Sequence, residues 1–253
     1  MKKLKFIAPI IILFIAIGFW FVSSLKEKQT VSEAPQVLGE TEINQPKTIS
    51  AWFKVPNSDQ IILYPNYEEK LTAETAKEKY NCSSIVSAGF YSTDSKPLGL
   101  VVSEKKTVAG FRKSDFFNAV YSINDFSTPR ITPDIPRDEL RLALQSGPML
   151  IENGTIQKLQ LTHDKEARRL VVATTGDNQT IFIVFYNPAS VYIGPQLVDL
   201  PDELKQFQTE NNIQIADAMN LDGGTASVFN NGDLNLPEAS LSGSFFCILP
   251  GKT

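Results

Sequence analysis

A single histidine, His163, and only two cysteines, Cys82 and Cys247, stand in 253 residues. A zinc site of four cysteines, or of two cysteines and two histidines, cannot be built from that supply, nor can a histidine-rich metal centre. Any Ser-His-Asp triad has to use His163. That residue lies in the polar run Leu161-Thr162-His163-Asp164-Lys165 and reads as an exposed loop position. The separation of Cys82 and Cys247 does not say whether they meet, although an exported chain allows one disulfide. Basic charge is also short: 24 Lys and Arg face 28 Asp and Glu, a net of −4. Lys2, Lys3, Lys5, Lys26 and Lys28 crowd the start beside one acid, Glu27, so the rest of the chain is more acidic still. Nucleic acid is excluded as a partner, because neutralising its phosphates needs a basic surface.

Charge is missing altogether from Phe6 to Val22, and Ser23, Ser24 and Leu25 extend that run to 20 residues. As a helix it spans about 30 Å, the thickness of a bilayer core. The lysines in residues 1–5 favour a cytoplasmic N-terminus. A cleaved signal peptide has the same basic and apolar regions, but no small-x-small cleavage site follows. Residues 6–25 therefore read as a transmembrane anchor with a signal peptide as the alternative, and both place the remainder outside the cytoplasm. Residues 26–50, rich in Gln, Glu, Thr, Ser and Pro without apolar periodicity, read as a polar linker. The folded domain is expected over residues 51–253.

Within it, Ile61–Tyr64, Ile85–Ser87 and Leu98–Ser103 have the length and composition of short strands. Thr72–Tyr80 reads as a helix, with Glu74 early and Lys77 and Lys79 late as the dipole prefers. Met149–Ile151 and Thr155–Leu159 flank Asn153-Gly154, the favoured pair for a tight hairpin. Leu170–Thr174 and Thr180–Tyr186 form a second hairpin around Gly176-Asp177-Asn178. The unbroken apolar run Ile181–Phe185 predicts a strand buried on both faces. Pro201 begins a helix, with Asp202 and Glu203 in its first turn and Leu200, Leu204 and Phe207 on one stripe. Pro136–Ser146 fits either a helix or a strand. The expected class is α+β: a hairpin-built mixed or antiparallel sheet flanked by a few helices, preceded by one N-terminal transmembrane helix.

Four segments place a glycine or a charge at the edge of an apolar strand. They are Ser87-Ala88-Gly89-Phe90-Tyr91 followed by Lys96-Pro97-Leu98-Gly99, then Gln145-Ser146-Gly147-Pro148 running on to Asn153-Gly154, then Arg168-Arg169-Leu170-Val171, and Asn220-Leu221-Asp222-Gly223-Gly224. The last fixes a carboxylate between an apolar run and a glycine pair. It reads either as an Asx turn or as a reactive carboxylate beside a nest of backbone N–H donors. Arg169 reads as a phosphate ligand or as a strand-edge charge paired with Asp164 or Glu166. Alternation turns Arg168 to the opposite face, where it is expected in solvent.

With these motifs in this order, residues 55–250 resemble the phosphodiester glycosidase family related to the lysosomal uncovering enzyme. That family shows Asn-x-Gly-Phe-Phe, Pro-x-Gly, Gln-x-Gly-Pro-x-Leu, an Arg at a strand start and Asn-Leu-Asp-Gly-Gly-x-Ser. Gly89, Gln145, Gly147, Pro148, Arg169, Asn220, Asp222, Gly223 and Gly224 match; Ser87 stands in place of the usual Asn and Tyr91 in place of Phe. An amide both donates and accepts while Ser is shorter, so the change at Ser87 bears on turnover.

The resemblance implies hydrolysis of a sugar-1-phosphodiester in exported or cell-envelope glycans. Asp222 is then acid, base or nucleophile, and Arg169 holds the phosphate through its planar fork. Ser87, Gly89, Gln145, Ser146, Gly147, Asn220, Gly223 and Gly224 are the expected substrate contacts, with Glu152 a candidate second carboxylate. No cofactor is required, although Asp222 with nearby carbonyls also suits a divalent cation. The alternative is a non-catalytic carbohydrate- or phosphate-binding protein on the same fold.

Overall fold

The computed structural model describes residues 48–251. The chain divides into Met1–Asn44 and Gln45–Thr253, and the described residues belong to the second unit. The basic start at 1–5, the apolar segment 6–25 and most of the linker 26–50 lie outside them.

Strands are numbered β1 to β16 along the chain. One sheet runs β1 (Ile49–Val55), β12 (Thr180–Tyr186), β11 (Arg169–Thr175), β13 (Ile215–Asn220), β9 (Met149–Glu152) and β10 (Thr155–Ile156). A second runs β15 (Asn235–Leu236), β14 (Phe229–Asn230), β3 (Ser84–Ser87), β16 (Ser244–Ile248) and β2 (Ile61–Pro65). The third runs β5 (Lys106–Ala109), β4 (Val101–Ser103), β8 (Leu140–Ser146), β6 (Ala119–Asn124) and β7 (Pro129–Thr132). The ladders that join these strands are antiparallel. With helices α1 (Ala73–Lys79) and α2 (Leu200–Asn211), this is a sheet-dominated α+β fold.

Side-chain alternation explains the layering. Leu170 and Val172 of β11 and Phe182 and Val184 of β12 enter a central core shared with Val86 and Phe246 of the second sheet and Tyr121 and Leu144 of the third. The intervening Val171, Ala173, Ile181 and Ile183 face the other way, onto Leu200, Leu204 and Phe207 of α2. The first sheet is therefore covered on both sides, as the run Ile181–Phe185 predicts. Each such aliphatic or aromatic side chain contributes about 1.5–3 kcal/mol when fully buried. Asp202 and Glu203 occupy the first turn of α2, and the left-handed Asn212 (φ 51°) ends it. In α1, the Thr72 hydroxyl caps the Thr75 N–H at 3.2 Å, and Ala73 and Ala76 pack on Ile85 and Phe245.

The ambiguous Pro136–Ser146 segment is a strand from Leu140 onwards. It pairs with β4 on one edge and β6 on the other, so non-local pairing overrides a good local helix start. The strand expected over Leu98–Ser103 begins only at Val101, because the Leu98 N–H turns to the Phe90 carbonyl at 3.0 Å. Cys82 and Cys247 form a disulfide with a Cα–Cα distance of 5.3 Å, tying the segment after α1 to β16. Closing so long a loop is worth about 2–5 kcal/mol.

Candidate functional site

The ends of β3, β8 and β13 meet at one place. From β13, the Leu221 N–H donates to Leu170 O at 2.8 Å and the Asp222 N–H to Ala88 O at 3.0 Å. From β3, the Ala88 N–H donates to Ser244 O at 2.9 Å and the Gly89 N–H to Ser244 Oγ at 3.1 Å. From β8, Ser146 Oγ donates to Asn220 O at 2.8 Å, the Gly147 N–H to the same carbonyl at 3.1 Å, and Asn220 Nδ2 returns a bond to Gly147 O at 3.0 Å. Gly147 has φ +152°, and a Cβ there would stand 2.3 Å from Phe116 O, so no other residue fits. Asn220 Oδ1 is buried without a partner.

Asp222 projects from this junction with part of its surface exposed. Desolvation pushes its carboxyl up to about 7, opposed only by the Gly223 N–H. Its charge also reaches two tyrosines that the motifs did not single out as site groups: burial first, and the Asp222 charge after it, raise the hydroxyls of both Tyr67 and Tyr91. Their rings meet across Gly243, where a Cβ would lie 2.8 Å from Tyr67 Cε1 and 2.7 Å from Tyr91 Cδ1. On the Gly89 side stands an aromatic trio, with ring centroids of Phe90 and Phe117 5.2 Å apart and of Phe116 and Phe117 5.1 Å apart.

Other expected contacts are held by the fold itself. Ser87 is fully buried, its hydroxyl 2.7 Å from Ser242 Oγ and accepting from the Val228 N–H at 2.8 Å. Gln145 Oε1 accepts from the Leu100 and Arg112 N–H groups, each at 3.0 Å, while Nε2 donates to Arg112 O and Phe117 O. That amide pins the loop between β5 and β6 to the residue that precedes β4. The Gly224 N–H donates to Arg168 O at 2.8 Å, so it serves the backbone.

The two arginines part company. The Arg169 backbone passes beside Gly223, but its guanidinium donates to Asp164 Oδ1 at 3.0 Å, Lys165 O at 2.5 Å and Pro195 O at 3.1 Å. It is paired with the carboxylate named as its strand-edge partner. Arg168 does face the opposite way, yet it is completely buried, which corrects the expectation of a solvated side chain. That face is a core face: its guanidinium bonds Ser227 Oγ, Ser227 O and Pro237 O and stacks 5.0 Å from the Tyr192 ring. His163 is exposed, as its polar surroundings predict. Glu152 closes the β9–β10 hairpin opposite Thr155, at the other end of β13 from Asp222. Among the described residues no three His, Cys, Asp or Glu side chains cluster in a way that suits a metal.

Ser244 had a signal in the sequence, whereas Tyr67 had none. Ser242-Gly243-Ser244 is a small-residue triplet at the edge of the apolar Phe245–Ile248 run, the same signature as the other site motifs.

The chain resembles several solved structures. The catalytic domain of zebrafish N-acetylglucosamine-1-phosphodiester alpha-N-acetylglucosaminidase, auto-inhibited by its pro-peptide, superposes with a TM-score of 0.59 at 16% identity, covering 83% of this chain and 85% of that one. A protein of Burkholderia pseudomallei described as exported gives 0.53 at 9% identity over 75% of this chain and 71% of that one. A hypothetical protein from Synechocystis gives 0.50 at 15% identity over 79% and 59%. At these identities the likeness establishes the fold alone. No curated protein matches. The phosphodiester glycosidase profile, however, matches residues 80–243, well over half the chain, and spans β3, β8, β11 and β13 with Asp222. The chain belongs to the phosphodiester glycosidase family.

Proposed function

We propose that this chain hydrolyses the bond between an anomeric carbon and phosphate in a sugar-1-phosphodiester, with Asp222 as the reacting carboxylate. The single observation that carries this assignment is the environment of Asp222: a partly open carboxyl at a three-strand junction, raised to about 7 by desolvation. Family membership supports the reaction class. When the C1–O bond breaks, its electron pair leaves on a phosphate monoester, a weak base that needs charge stabilisation more than a proton. The work for Asp222 is therefore on the sugar side. In its ionised form it takes the proton of the water attacking C1, or attacks C1 itself before water releases the sugar. A carboxylate whose pKa lies near neutrality is a stronger base than an ordinary one while still ionised at working pH. The half-buried Phe90, Phe116 and Phe117 offer apolar surface beside Gly89 for a sugar ring.

The domain then acts outside the cytoplasm on exported or cell-envelope glycans, tethered by residues 6–25 or released by cleavage after them. A second reading is carbohydrate or phosphate binding without turnover, and one observation favours it over hydrolysis: the Arg169 guanidinium is engaged by Asp164 and so is not free to stabilise a departing phosphate.

Hydrolysis of a panel of sugar-1-phosphodiesters by the full chain, beside Asp222→Asn, tests the proposal. Release of free sugar and phosphate monoester by the parent, lost about 10²- to 10⁴-fold in the variant, supports it. Binding without turnover by the parent selects the second reading.

A further inference from the structure

Tyr67 follows β2 at a turn that is held unusually firmly. The side chain of the preceding residue, Asn66, donates to Leu71 O at 2.9 Å and Ser242 O at 2.8 Å and accepts from the Leu71 N–H at 2.8 Å. The Asn66 N–H donates to Gly243 O at 2.8 Å. The ring of Tyr67 then lies on Gly243, beside Tyr91. Backbone anchoring on one side and the glycine contact on the other fix where its hydroxyl points.

That hydroxyl oxygen is buried and has no hydrogen-bond partner in a well-aligned geometry. Ser244 Oγ, which accepts from the Gly89 N–H, lies near enough to stabilise the Tyr67 oxygen but not in hydrogen-bonding alignment with it. Tyr91 differs: its hydroxyl donates to Leu241 O. Of the two tyrosines beside Asp222, one has spent its proton on the backbone and the other has not. Buried polar groups are almost always paired, so an orphan at a candidate site asks for a ligand.

Three of the donors nearest Asp222 are in use, although Arg168 Nη1, on the core side of the Gly223-Gly224 turn, has no partner. The Arg169 guanidinium is on Asp164, the Gly224 N–H on Arg168 O, and the Gly147 N–H on Asn220 O. The Tyr67 O–H is thus a donor beside Asp222 that no protein acceptor holds in good geometry. We propose that Tyr67 is a substrate-binding residue of this site, donating its hydroxyl proton to a non-bridging phosphate oxygen of the ligand. Burial and the Asp222 charge push that hydroxyl up to about 12, so it keeps its proton across the working range. A neutral donor suits a site where a carboxylate must stay reactive, because a cation there would lower the Asp222 pKa. This role rests on the phosphodiester reading of the Asp222 site, but its test does not require turnover.

The test is calorimetric titration of the full chain, parent and Tyr67→Phe, with inorganic phosphate, N-acetylglucosamine 1-phosphate and N-acetylglucosamine. Losing one hydrogen bond to an anion weakens binding of both phosphate compounds about tenfold to a hundredfold. Affinity for the neutral sugar stays unchanged. The substitution removes one unpaired oxygen, so Tm does not fall. Equal phosphate affinity in parent and variant, equal losses for phosphate compounds and neutral sugar, or no phosphate binding by the parent would overturn the proposal. A parent that binds phosphate through Tyr67 yet cleaves no sugar-1-phosphodiester leaves this inference standing and removes the hydrolase reading.

Discussion

The Asp222 N–H donates to the Ala88 carbonyl at 3.0 Å, joining the end of β13 to the end of β3 and setting the carboxyl beside Tyr67 and Tyr91. Two strand ends far apart in sequence thus define one desolvated acid. Its neighbourhood resists charge, and that has consequences for stability as well as for chemistry.

Asp222→Asn should stabilise the fold at alkaline pH. In the unfolded chain the carboxyl titrates near its ordinary value of about 4, whereas in the fold it holds its proton up to about 7. The native state therefore binds the extra proton between those values, and stability falls as pH rises through that window. Allowing for partial exposure, the ionised form costs about 1–3 kcal/mol, which asparagine avoids. Thermal unfolding at pH 8 should show a higher Tm for the variant than for the parent, a gap that closes towards pH 4. A lower Tm at pH 8 contradicts the desolvation described.

Arg169 and Asp164 should behave as a structural pair. Their side chains are only 13% and 10% exposed, so removing either partner leaves a poorly solvated charge at a cost of about 3 kcal/mol. Arg169→Ala and Asp164→Ala should each lower Tm, and the double variant should lose less than the two together. A phosphate-holding role for Arg169 gives a different result: KM rises for Arg169→Ala while Tm and the Asp164→Ala variant are unaffected.

Gly147→Ala should damage both fold and site. The φ of +152° and the approach of Phe116 O to 2.3 Å from the modified position leave no room for a methyl group. A loss of about 2–4 kcal/mol is expected from strain and overlap. Because Gly147 holds Asn220 from both sides, kcat should fall further than the loss of folded protein explains. Calorimetric melting beside single-substrate kinetics checks both parts, and an unchanged Tm contradicts the first.

Much of this was legible in the chain, where the information is local. Pro201 with Asp202 and Glu203 starts α2, Asn153-Gly154 turns a hairpin, and the run Ile181–Phe185 announces a strand covered on both faces. The apolar run into Asp222-Gly223-Gly224 marks a strand end carrying a carboxylate. What escaped depends on what lies opposite. Alternation gives the face of Arg168 but not that Ser227, Pro237 and Tyr192 cover it. The Gln145 amide has the chemistry of a ligand contact, and only the return of the loop beyond Gly99 shows its four partners to be backbone groups. Tyr67 and Ser244 meet through the register of β2 with β16, which opposes Pro65 and Ser244 and leaves no trace in either segment alone.

The most direct test of the central claim is the pH dependence of kcat/KM for the parent on a sugar-1-phosphodiester that it cleaves. That ratio reports the essential groups of the free enzyme. With Asp222 acting as a carboxylate, kcat/KM should rise tenfold per pH unit below an inflection near 7 and level off above it, and Asp222→Asn should lose the activity. A profile that is flat between pH 5 and pH 8, or that rises towards acid, would contradict the account.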